Sequence, residues 1–161
     1  MFHIAFSGVL TPKIILFLKH LSAQGNRLLI ADSENLPKTD IDTLVEQLPS
    51  AEIEFVSCLK DSCWEADVII LSSELSNDYQ ALRNIQEVAT QKLVIFLSEE
   101  SNSKQLKKLE QFLPHSKLAM VKLNSEKKET TLLSFPAEVE LRNLFEEINY
   151  TLVFENQEIV K

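Results

Sequence analysis

The sequence predicts an α/β fold: a three-layer, doubly wound, mostly parallel sheet with helices on both faces. Three observations predict it. Short apolar runs and helical patterns alternate along the whole chain at short spacing, the signature of βαβ units. The inner runs RLLIA, DVIIL and KLVIFL are almost continuously apolar, as strands covered on both faces require. No internal repeat, low-complexity tract or linker divides the 161 residues. One domain over 1–155 is therefore expected, with 156–161 as a flexible tail.

The elements follow in order. Residues 2–7, FHIAFS, read as a first strand ending at Gly8. Thr11 stands at an N-cap position and Pro12 at the first helical position, where a missing N–H costs nothing. The run PKIILFLKHLSAQ (12–24) is apolar around much of its circumference, so it reads as a helix laid on a sheet, with Gly25 as C-cap. RLLIAD (27–32) is strand two. Residues 40–48 form a helix capped by Asp40, and EIEFV (52–56) alternates as an edge-side strand three.

A short helix or turn over 58–66 leads to DVIILSS (67–73), strand four. A helix over 77–89 carries Tyr79, Leu82, Ile85, Val88 and Ala89 as its buried stripe. KLVIFLS (92–98) is strand five. Ser103 caps a helix over 104–113, closed by Pro114, and KLAMVKL (117–123) is strand six. After the polar turn NSEKKE come TLLSF (131–135), a helix over 137–148 begun by Pro136, and YTLVFE (150–155). The expected strand order is 3-2-1-4-5-6, extended by two C-terminal strands.

Charge narrows the partners. The chain has 24 acidic and 16 basic residues, a formal net charge of −8, and no basic block. Nucleic acid and anionic membranes are poor partners for such a surface. No run reaches the roughly 18 apolar residues of a membrane span, and no cleavage-site pattern follows the first residues, so a cytoplasmic protein is expected. Cys58 and Cys63 are spaced C-x4-C. The histidines at 3, 20 and 115 do not complete a metal set with them, so no metal site is expected.

The stretch SGVLTP (7–12) carries the functional question. A strand, a glycine, a helix and a second strand ending in an acid form the layout of a dinucleotide-binding unit. In that Rossmann-like layout the acid holds the ribose diol about 20 residues after the glycine fingerprint. Asp32 lies 24 residues past Gly8. A receiver-like fold would instead need clustered acids where Ser7 and Gly8 stand. A flavodoxin-like fold would want hydroxyls and glycines there, which SGVLT partly offers.

On FHIAFSG, RLLIAD, EADVIILSS, KLVIFLS and KLAMVKLNS, the chain resembles the N-terminal domain of the coenzyme F420-dependent NADP oxidoreductases. Their relatives include pyrroline-carboxylate reductase and 6-phosphogluconate dehydrogenase-like domains. The resemblance covers nearly the whole chain in element order. It implies that Gly8 or Ser7 takes the first glycine position, Val9 or Leu10 the second, and Pro12 or Lys13 the third, a degenerate fingerprint. It further implies that Asp32 binds ribose and that Leu71, Ser72 and Ser73 line the cofactor crevice. Thr11 adds a hydroxyl to the helix N-terminus, whose free N–H groups suit an anion. The candidate cofactor-binding set is thus Ser7, Gly8, Val9, Leu10, Thr11, Asp32, Ser72 and Ser73. An acid at the ribose favours NAD over NADP. Glu34, Glu74, Glu99 and Glu100 make the surrounding rim acidic.

The resembled family's C-terminal helical domain supplies its dimerisation and substrate residues. A homo-oligomer or another protein is therefore the expected partner. Three functions follow: an NAD(P)-binding oxidoreductase, a non-enzymatic regulatory or protein-interaction domain that has lost nucleotide binding, and a flavodoxin-like FMN-binding protein. No residue receives a catalytic assignment.

Overall fold

A computed structural model describes residues 2–49, 51–99, 103–132 and 138–154. In chain order the elements are β1 (His3–Ser7), α1 (Pro12–Ser22), β2 (Arg27–Ala31), α2 (Lys38–Gln47), β3 (Ile53–Val56), α3 (Leu59–Glu65) and β4 (Val68–Leu71). There follow α4 (Tyr79–Ile85), β5 (Leu93–Leu97), α5 (Ser103–Phe112), β6 (Lys117–Asn124), β7 (Glu129–Leu132), α6 (Glu138–Glu147) and β8 (Thr151–Phe154). Short 3-10 turns follow β2 at Ser33–Asn35 and β4 at Ser73–Asn77.

One eight-stranded sheet runs β3-β2-β1-β4-β5-β6-β7-β8. This is the order expected from the sequence, and it differs from the 2-1-3-4-5 order of flavodoxin-like folds, so that arrangement is set aside. Pairings from β3 through β6 are parallel. β7 runs antiparallel to β6, and β8 is parallel to β7. β1 lies between β2 and β4, with Phe6 level with Ile30 on one side and Ile70 on the other. The chain therefore leaves β1 in one direction and returns on its other side. The C-terminal ends of β1 and β4 form the topological switch point where ligands of open α/β sheets bind.

Period-two alternation divides the core. Ile4, Phe6, Leu28, Ile30 and Ile70 face α1, α2 and α6 in one apolar cluster. Ala5, Leu29, Ile69, Val94 and Phe96 face α3, α4 and α5 in another. These are the three layers predicted. Among the described residues, no helix is long and apolar enough to cross a membrane.

Several boundaries differ from expectation for local reasons. α2 begins at Lys38, because Pro37 already holds the φ of a helix start, and Asp40 sits in the first turn instead of capping. α4 is short, with Asp78 accepting the Ala81 N–H at 3.1 Å as its cap. The C-cap of α1 is Ala23, and Gly25 turns the chain two residues later at φ +81°. The polar turn narrows to residues 125–128, and β7 starts at Glu129. The expected start at Pro136, the Ser103 cap and the tail 156–161 fall outside the described residues and side chains.

The C-terminal unit closes back onto α1. Phe17 stacks on Phe145 with centroids 5.6 Å apart, and the ring of Tyr150 lies 5.6 Å from Phe17. Ser125 Oγ donates to Lys13 O at 2.7 Å and hydrogen-bonds the buried Tyr150 hydroxyl, which meets His20 Nδ1 at 2.8 Å. Burial, then the charges of Lys128 and Lys19, hold the His20 pKa below its ordinary 6.5. The fold thus favours neutral imidazole. The stability gained is complete above about pH 6.5 and erodes as pH falls below it. An NMR titration is expected to place the ring's midpoint below 6.5. A midpoint at or above that value contradicts the packing argument.

Candidate functional site

The site is built around the turn after β1. Ser7 is buried, and its carbonyl accepts the Ser72 N–H at 3.0 Å, which ties the ends of β1 and β4 together. Gly8 follows at φ +137°, where a side chain is strained. A Cβ placed on it would lie 1.7 Å from Ser72 Oγ and 2.4 Å from Ser72 Cβ. Only glycine permits this approach of the two strand ends.

Beyond Gly8 the chain splits its apolar residues. Val9 is 53% exposed on the lip of the turn, whereas Leu10 is buried in the core with Ile14 and Phe17. Thr11 is the N-cap of α1, its Oγ1 accepting the Ile14 N–H at 3.3 Å, and Pro12 opens the helix. The Ile15 N–H goes to Thr11 O at 2.9 Å. Pro12 has no N–H, so Lys13 supplies the remaining first-turn donor toward the helix mouth.

A cleft of about 1060 Å³ opens at this switch point, large for a small-molecule site. Val9, Thr11, Lys13, Ser72, Ser73 and Glu74 line one end. Leu97 at the end of β5 and Ser98 and Glu99 beyond it, with Lys122, Asn124, Glu126 and Glu129 from the β6–β7 hairpin, line the rest. Lys13 Nζ pairs with Glu99 Oε2 at 3.0 Å across the mouth. Among the described residues, four glutamates against two lysines leave the lining net acidic. Glu100 of the expected acidic rim lies outside the described residues.

Two polar groups stand out. The Val9 N–H donates to Glu74 Oε2 at 3.0 Å. Ser72 is 3% exposed, and its Oγ has no hydrogen-bond partner among the described residues. A buried hydroxyl left unpaired costs about 1–3 kcal/mol. This one stands over Gly8, at the place where a ligand would meet the turn.

The candidate residues are therefore only partly united. Val9, Thr11, Ser72 and Ser73 line the cleft, and Ser7 and Gly8 join the strands beneath it. Leu10 does not line it, because its side chain completes the α1 core. Asp32 lies at the same sheet edge but outside the cleft lining. It is exposed at φ +55°, and its Oδ1 accepts Asn35 Nδ2 at 2.7 Å.

Sequence reasoning missed the hairpin wall from β6 and β7. Its one signal was the length of β6, which carries Lys122 and Asn124 past the end of β5. Among the described residues, no histidine or cysteine lines the cleft. Burial pushes the Cys63 thiol up to about 12, which keeps it protonated and unreactive. Among the described residues, no group of three His, Cys, Asp or Glu side chains is placed to hold a metal.

No family model and no curated protein sequence matches the chain. Solved structures do match. The 3-hydroxyisobutyrate dehydrogenase of Mycobacterium tuberculosis with L-serine aligns at TM-score 0.71 and 14% identity, over 96% of this chain and 54% of that one. A 5-formyl-3-hydroxy-2-methylpyridine-4-carboxylic acid 5-dehydrogenase, an NAD+-dependent dismutase, aligns at TM-score 0.71 and 15% identity over 94% and 56%. The Plasmodium falciparum pyrroline carboxylate reductase with NADP bound aligns at TM-score 0.64 and 13% identity over 95% and 57%.

The fold is of the Rossmann type. It is shared with NAD- and NADP-dependent dehydrogenases and reductases, and the chain spans about half the length of these structures.

Proposed function

We propose that the chain is a nucleotide-binding Rossmann domain that takes NAD(P) and serves oxidoreductase chemistry in the cytoplasm. One observation carries the reading. Gly8 brings β1 against β4 so that the N-terminus of α1, the Val9 N–H and the unpaired Ser72 hydroxyl converge on one large cleft. That is donor chemistry for the phosphates of a nucleotide. Val9, Thr11, Ser72 and Ser73 would hold them, and Asp32 would meet the adenosine ribose once released from Asn35. The nicotinamide, when bound, supplies the hydride. Two free cysteines, one buried, accord with a reducing compartment.

Neighbours with this fold include one that is NAD+-dependent and one with NADP bound, which supports the cofactor class without separating its two members. The separation rests on Asp32, whose carboxylate would repel a 2′-phosphate. A second copy of the chain, or another protein, would complete the walls around a substrate. Coenzyme F420 is one hydride partner that the sequence resemblance suggests.

A second reading has its own observation. The Glu74 carboxylate already occupies the Val9 N–H, as in a domain that has given up nucleotides for protein interaction.

Calorimetric titration with NAD, NADP, FMN and F420 separates these readings. NAD is expected to bind at least tenfold tighter than NADP, and Asp32→Ala to narrow that gap. Absence of saturable dinucleotide binding at millimolar concentration, in the wild type and in a Glu74 variant alike, would overturn the first reading in favour of the second.

A further inference from the structure

We infer that Glu74 is a built-in occupant of the anion subsite at the β1–α1 turn, and that a phosphate-bearing ligand binds by displacing it. For the identity of that ligand, the inference rests on the nucleotide-binding reading above.

The subsite shows itself through its donors. The mouth of α1, an eleven-residue helix, carries a partial positive charge of about half an elementary unit. The Val9 and Lys13 N–H groups and the Thr11 hydroxyl belong to the same turn. Ser72 Oγ, buried and unpartnered, stands over Gly8 beside them. An unpaired hydroxyl in an otherwise satisfied strand end marks a group waiting for an acceptor.

Glu74 supplies the acceptor to part of this set. Its Oε2 takes the Val9 N–H at 3.0 Å and lies 3.2 Å from the position of a Cβ on Gly8. A carboxylate oxygen there makes the same charge-assisted contact a phosphate oxygen would make. The occupant is local. Glu74 lies in the 3-10 turn Ser73–Asn77, fastened directly to β4 by the Leu75 N–H on Ser72 O. Its effective concentration at the turn is therefore high, of the millimolar order typical of short tethers. It is also exposed, so it can swing out without disturbing the core. Ser72 Oγ remains unanswered because Glu74 bonds the Val9 N–H and not the hydroxyl.

The test compares the wild type with Glu74→Ala and Glu74→Gln. Inorganic pyrophosphate is the first probe and NAD and NADP the second, followed by calorimetry and by backbone amide NMR at Val9 and Lys13. Thermal unfolding checks that both variants keep the fold. Glu74→Ala is expected to bind pyrophosphate about tenfold tighter or more, with the largest amide shifts at Val9 and Lys13. Glu74→Gln, which keeps an acceptor but loses the charge, is expected to fall between. Equal pyrophosphate affinity in the wild type and Glu74→Ala, no binding by either, or shifts centred elsewhere overturns the inference. Tighter pyrophosphate binding without dinucleotide binding upholds the role of Glu74 and removes the dinucleotide reading. Dinucleotide binding that is the same with and without the carboxylate does the reverse.

Discussion

Gly8→Ala is expected to destabilise the protein by about 4 kcal/mol, one of the two largest single-site losses foreseen in this chain. Two costs add. A Cβ on residue 8 falls 1.7 Å from Ser72 Oγ and 2.4 Å from Ser72 Cβ, and the second atom cannot rotate away. Ser72 cannot retreat cheaply either, because its N–H is held by Ser7 O at the end of β1. The φ of +137° adds the strain of a conformation that L residues avoid. For a chain of this size the melting temperature should fall by roughly 10 °C. The partner substitution identifies the mechanism. Ser72→Gly in the Gly8→Ala background removes both clashing atoms and should recover the packing part of the loss, with a coupling above about 1 kcal/mol in a double-mutant cycle. A single Gly8→Ala change costing under about 1 kcal/mol would refute the close approach described.

Phe17→Ala is expected to cost about 3–5 kcal/mol. The ring is fully buried on α1, stacked on Phe145 and tilted against Tyr150. Its loss removes apolar burial and the aromatic contacts that fasten α6 and the start of β8 to the first helix. Denaturant unfolding measures the total. Hydrogen exchange locates it: amides over 138–154 should lose protection more than those of α4 and α5 on the opposite face. Uniform loss across both faces, or a cost below about 1.5 kcal/mol, would show that Phe17 does not hold the C-terminal unit.

Much of the architecture was legible because its cause is local. Strands buried on both faces must be apolar throughout, and RLLIA and LVIFL announce themselves on that ground alone. Thr11 and Pro12 announce a helix start, since both residue types answer the chemistry of unpaired N–H groups. Side-chain direction in a loop has no such period. Val9 and Leu10 look alike on paper, yet one is solvent-facing and the other completes a core. Asp32 arrives at the expected spacing, but spacing says nothing of Asn35 drawing its carboxylate aside. The Glu74–Val9 contact joins residues 65 positions apart, so it comes into view only once β1 and β4 lie side by side.

The pairing of those two strands also bears on how the chain is born. β1 is fastened to β4 at both ends, by His3 with Asp67 and by Ser7 with Ser72. On a ribosome the first strand, its helix and the next two strands emerge well before residue 72 does. Until then one edge of β1 has no neighbour and the turn at Gly8 has nothing to close against. The nascent chain must therefore carry an open apolar strand for the time needed to synthesise a further βαβ unit, several seconds at roughly 5–20 residues per second. Closure of the turn at Gly8 thus waits for the fourth strand, and the cleft above it has all its walls only once the β6–β7 hairpin has also emerged.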